Sequence, residues 1–220
     1  MPHNRRMRWW SIILVLGGLS SCVSATSDPG MAGHYRLAEG PDVAGELVLT
    51  ADGRFGYALA AGALDERAQG RWEQNGETAC LFTEPVPVPP VFSRESSAPA
   101  GGESRDLLVT WPGGGGIAGV DFRLGFDDGS FIEGYTQQDG WSMPSSDVRK
   151  PRWIELAVPM HGLNSPRFAL DERDRGPWRF VLTPNDLGLV DFQGACLRRE
   201  ETRYLLERGE GEMRFVRAES

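Results

Sequence analysis

Histidine, cysteine and long apolar runs are all scarce in this chain, and each shortage removes a class of chemistry. There are three histidines and three cysteines in 220 residues. Beyond residue 22 only His34 and His161 remain, far apart in sequence. Imidazole titrates near neutral pH and is the commonest metal ligand, so its scarcity argues against acid–base and metal chemistry. No His-x-x-x-His or Cys-x-x-Cys pair occurs, which argues against a structural zinc site. No Gly-x-Ser-x-Gly elbow occurs either. The acidic cluster Asp127, Asp128, Glu133 lacks the twelve-residue spacing of a calcium loop and reads as a hairpin turn. Gly113–Gly116 is followed by a strand-like run with no Lys-Ser/Thr, so it reads as a loop between strands. The sequence therefore predicts no catalytic centre, no cofactor and no metal, with one open flank. Carboxylates are abundant, and a glycosidase-type pair across a cleft leaves no sequence spacing to test.

Helix-forming runs are also few. Instead there are 28 glycines and 15 prolines, which shifts expectation to an all-β chain with many turns. Acidic residues outnumber basic ones by 31 to 23, a net charge of −8. That sign argues against nucleic acid and against adsorption to anionic lipid surfaces. It permits a basic partner, although acidic surfaces commonly serve solubility.

The N-terminus departs from the rest. Arg5, Arg6 and Arg8 precede an apolar core from Trp9 to Leu16, then Gly17, Gly18 and Leu19-Ser20-Ser21-Cys22. This ending resembles a bacterial lipobox. The resemblance implies a signal peptide over 1–22, acyl chains such as palmitate on Cys22, and residence in the oxidising cell envelope. Val23, rather than an acidic residue, follows Cys22, which favours the outer over the inner membrane. The alternatives are a plain secretory signal with an incidental cysteine and an uncleaved membrane helix. The core falls short of the roughly 20 apolar residues a span needs. Several chains would anchor firmly, because each buried CH₂ contributes about 0.8 kcal/mol. Residues 23–32 are small, polar and broken by Asp28-Pro29-Gly30, and read as a tether.

Residues 33–83 read as a β-meander. Leu47 and Leu49 share a face, as do Phe55, Tyr57 and Leu59, and Asp52-Gly53 and Asn75-Gly76 mark hairpins. Five short strands suggest a small barrel or part of one. Gly33 and Tyr35, Glu46-Leu47-Val48-Leu49, Asp52-Gly53-Arg54-Phe55 and Gly70-Arg71-Trp72 resemble the repeat of small lipocalin-like envelope domains of the NlpE N-terminal type. That resemblance implies a fold. Copper binding does not carry over, because the region lacks a Cys-x-x-Cys.

Residues 84–104 are Pro-rich and then Ser/Gly-rich, and read as an interdomain linker, with a long barrel loop as the alternative. From 105 to 219 a second β pattern runs. Val120, Phe122, Leu124 and Phe126 alternate, as do Ile154, Leu156 and Val158, and Trp178, Phe180 and Leu182. Gly116, Ile117, Gly119, Val120 and Phe122, followed by Thr136, Asp139 and Gly140, resemble carboxypeptidase-regulatory-like, prealbumin-type domains. This implies a Greek-key β-sandwich whose glycines and aspartates set turns. The chief rival is a composite fold in which the last strands return to the first sheet.

Cys80 and Cys196 remain once Cys22 is assigned to lipid. They form either a disulfide between the first and last parts of the chain or two separately buried thiols. Trp72, Trp111, Trp141, Trp153 and Trp178 are expected in core and corner packing rather than in a ligand pocket. The resulting expectation is a non-enzymatic, membrane-anchored envelope lipoprotein that acts as a binding or scaffolding module for an envelope protein partner. A carrier of a small apolar ligand inside the barrel and an inhibitor of a secreted hydrolase are the alternatives.

Overall fold

The computed structural model describes residues 30–38, 40–95, 105–171, 177–209 and 211–218. It is all-β, and its one helical element among the described residues is a 3₁₀ turn at Pro159–His161. The first five strands are β1 (Gly33–Leu37), β2 (Val43–Leu49), β3 (Arg54–Ala61), β4 (Leu64–Asn75) and β5 (Thr78–Thr83). They form the meander that the turn signals predict, but they do not close on themselves. Closure comes from the other end of the chain: β15 (Gln193–Glu200), β16 (Arg203–Arg208) and β17 (Gly211–Arg217). The eight strands make a closed barrel in the order β1-β17-β16-β15-β5-β4-β3-β2.

Alternation dictates what fills it. Tyr35, Leu47, Leu49, Phe55, Tyr57, Leu81, Leu197, Leu206 and Phe215 point inward and are buried. Eight strands leave an interior just wide enough for side chains or one small ligand. Here side chains occupy it, with Phe192 set edge-on against Phe55 and Tyr57 at ring distances of 5.9 and 5.1 Å.

The barrel has two ends with different jobs. At one, Met31 is buried beneath the strands, its N–H 3.4 Å from Gln74 Oε1, while Tyr35 donates to the Met31 carbonyl at 2.5 Å. The chain enters β1 there, and the β2–β3 and β4–β5 hairpins lie at the same end. At the other end lie the β3–β4 and β16–β17 hairpins. A two-sheet unit is inserted between β5 and β15 at this end.

The insert contains β6 (Val91–Arg94), β7 (Asp106–Thr110), β8 (Asp121–Phe126), β9 (Phe131–Tyr135), β10 (Trp141–Ser142), β11 (Pro151–Val158), β12 (Leu163–Asn164), β13 (Phe168–Ala169) and β14 (Trp178–Thr183). One sheet runs β10-β7-β14-β6; in the other β12, β11, β8 and β9 follow in order and β13 also pairs with β11. Leu107, Val109, Trp178 and Phe180 of the first sheet and Phe122, Leu124, Ile154 and Leu156 of the second share one buried core.

Two boundaries are thereby corrected. Residues 105–219 are not one domain, because 193–217 complete the barrel. The barrel's inward faces can be covered only if those apolar strands return to it. Residues 84–104 are not wholly linker, since Val91–Arg94 pairs with β14.

Cys80 and Cys196 stand opposite each other on β5 and β15, and their sulfurs are bonded at 2.01 Å. This bridge crosses the seam where the insert splits the barrel. Hairpins join most neighbouring barrel strands, whereas β5 and β15 are joined only through the insert.

Candidate functional site

Residues 84–90 and 184–192 form a neck of two chain segments that carries the chain to the insert and back. Val88 donates to Asp186 Oδ2 at 2.8 Å, Asp186 N–H returns a bond to the Val88 carbonyl at 3.1 Å, and Asn185 Nδ2 donates to the Pro89 carbonyl at 2.7 Å. The neck is also fastened to the barrel. Glu84 N–H bonds the Gln69 carbonyl at 2.9 Å, Arg67 N–H bonds the Gly188 carbonyl at 2.9 Å, and Val190 N–H bonds the Arg67 carbonyl at 2.8 Å. The Thr83 hydroxyl donates to the Val190 carbonyl and accepts from Phe192 N–H, both at 2.9 Å. A Cβ on Gly70 would sit 2.0 Å from the Phe82 carbonyl oxygen, so only glycine permits β4 to pass so close as β5 gives way to the neck.

Between neck and barrel wall lies an open groove of about 610 Å³. That volume falls within the usual range of small-molecule sites. Its floor is the outward face of β2, β3 and β4: Val48, Gly56 and Gln69 in one row, Glu46, Ala58 and Arg67 in the next. Pro85, Pro87 and Leu189 make the far wall. Glycine in a strand interior costs roughly 0.5–1 kcal/mol relative to alanine. At Gly56 no packing requires it, since a Cβ there would meet nothing within 4 Å. Strand glycines accompany bulges, bends at barrel corners and sites where a ligand or another backbone comes close.

The charges around the groove are unequally satisfied. Glu84 accepts from Arg54 Nη1 at 3.1 Å and Arg71 Nε at 3.0 Å. Glu46 lies 3.5 Å from His34 Nε2 and 3.9 Å from Arg36 Nε. Asp186 is held by the neck amide already described. The Arg67 guanidinium has no ion-pair or hydrogen-bond partner among the described residues.

Beside the groove, the barrel mouth is sealed by polar groups. Arg208 makes a two-pronged ion pair with Glu66, with Nη2 2.8 Å from Oε1. Tyr57 OH lies 3.4 Å from Glu66 Oε2. Burial, helped by the Glu66 charge, pushes the Tyr57 phenol up to about 12.

Most residues singled out from sequence lie elsewhere. Cys22 falls outside the described residues. His34 is on β1, its Nε2 buried without a hydrogen bond among the described residues, and His161 is in the 3₁₀ turn of the insert. Asp128 caps the β8–β9 turn by accepting from Ser130 N–H at 2.9 Å, and Glu133 pairs with Arg123. Trp111 N–H bonds the Gly115 carbonyl at 2.9 Å, closing the glycine loop. Trp178 is core, and Trp153 lies on Gly125 beneath Arg167, 3.8 Å from ring to guanidinium. Among the described residues no three of His, Cys, Asp and Glu converge as a metal site would need. Sequence reading missed the groove, because its neck residues lie far from its floor in sequence. Its one visible trace is the run Gly56, Ala58, Ala60, small residues at alternate positions where an outward strand face commonly carries polar ones.

No protein family, no curated protein and no solved structure matches the chain.

Proposed function

We propose that this chain is a non-enzymatic cell-envelope lipoprotein, anchored through acyl chains on Cys22, that holds a binding module away from the membrane. One observation carries the reading. The chain enters the barrel at the Met31 end, and the insert leaves at the opposite end through the neck. A tether on the entry side therefore turns the insert outward, towards an envelope protein partner. The outer membrane is the favoured address, given Val23. On this reading the insert is a prealbumin-type Greek-key sandwich, supported by a chain that alternates between two sheets around one core. The barrel is of the small lipocalin-like envelope type.

The test is palmitate labelling and cell fractionation of the full chain beside Cys22→Ala. The expected result is label and membrane association in the parent and neither in the variant. Unchanged labelling of Cys22→Ala would refute the anchor.

A second reading, carriage of a small apolar ligand, is favoured by the groove. It moves the ligand from the barrel interior, which side chains fill, to the outer wall.

A further inference from the structure

We propose that the neck groove binds an amphiphile with one apolar chain and an anionic head group, the chain lying over Gly56 and Ala58 and the head at Arg67. The proposal deepens the carrier reading and does not depend on the Cys22 anchor.

Three features converge. The floor is low because Gly56 and Ala58 project almost nothing outward, and the space above Gly56 is open to 4 Å. Val48, 37% exposed, and Leu189, 49% exposed, face the groove together with Pro85 and Pro87, so an unbranched chain would find apolar contacts on both sides. Finally, Arg67 is the one basic side chain in the lining, and it is exposed to solvent. Glu46, Glu84 and Asp186 each have a basic or backbone group against them, whereas Arg67 has none among the described residues. A guanidinium offers five donors in a plane and matches carboxylate or phosphate oxygens two at a time. A cationic head at the same place would meet Arg67 with the wrong sign. Arg67 is also well placed to be steady. Its N–H and carbonyl are both bonded to the returning neck at Gly188 and Val190, so the backbone carrying the guanidinium is clamped to the groove's far wall.

The test uses the full chain in phosphatidylcholine vesicles and a dodecanoic acid analogue bearing a diazirine at its chain end. After irradiation, mass spectrometry should place the label on peptides covering residues 54–71 and 184–192. Dodecanoate should compete, and dodecyltrimethylammonium should not. Gly56→Phe fills the groove without a backbone clash, so labelling should fall about tenfold while the melting temperature holds. Should that variant misfold, Ala58→Leu, at an exposed outward position, takes its place. Arg67→Ala should weaken competition by dodecanoate about tenfold, the loss of one charge-assisted contact, with Arg67→Lys keeping most of it. Undiminished labelling in both groove-filling variants would overturn the site. Equal competition by the cationic and anionic amphiphiles would overturn the head-group assignment. A palmitate-free Cys22→Ala chain that still labels at these peptides would leave the proposal standing even if the anchor fails.

Discussion

Removing the Cys80–Cys196 bridge tests how the barrel and insert depend on each other. The bridge closes a loop of 116 residues in sequence. If barrel and insert unfold together, chain entropy sets its contribution near 5 kcal/mol. The insert has its own core, however, and its two ends are held side by side by the Val88–Asp186 pairing. If it stays folded while the barrel opens, the flexible path between the cysteines shrinks to roughly two dozen neck and strand residues. The same relation then gives about 3.5 kcal/mol. The double variant Cys80→Ala/Cys196→Ala avoids a lone thiol and should lose about 3–5 kcal/mol in guanidinium unfolding. Hydrogen exchange would show where. The loss should concentrate in β5 and β15, the seam joined only through the insert, while β8 and β11 of the insert keep their protection. A loss below about 1 kcal/mol, or equal deprotection of both units, would refute the reasoning.

Two further outcomes are expected. A Cβ at Gly125 would lie 2.0 Å from the Trp153 indole, so Gly125→Ala must displace that ring from the β8 surface and disturb its stacking with Arg167. The insert should lose about 1–3 kcal/mol, measured by thermal unfolding, with the barrel's hydrogen exchange unchanged. Tyr35 and Tyr57 are both raised to about 12, chiefly by burial. Their neutral phenols favour the folded state, so this stability is complete below the unfolded value near 10 and is lost as pH rises through about 12. Phenolate absorbance should thus show two tyrosines resisting ionisation until alkaline unfolding, and Tyr57→Phe should remove one of them.

The sequence by itself determined the local elements. Alternation placed Phe55 and Tyr57 on an inner face and Phe122 and Leu124 in a second core, because a strand's side-chain period is two and burial selects one face. Turn chemistry at Asp52-Gly53 and Asn75-Gly76 set hairpins whose partners are adjacent in sequence. Only the tertiary structure decided that 193–217 close the first barrel. Apolar alternation in Leu197, Leu206 and Phe215 says that a face is buried but not against which sheet, and a pairing across more than a hundred residues leaves no local signal. The groove shows the same limit. Gly56 and Ala58 are visible as small residues, but their meaning comes from the neck segments at 84–87 and 186–189, which chain topology alone brings beside them.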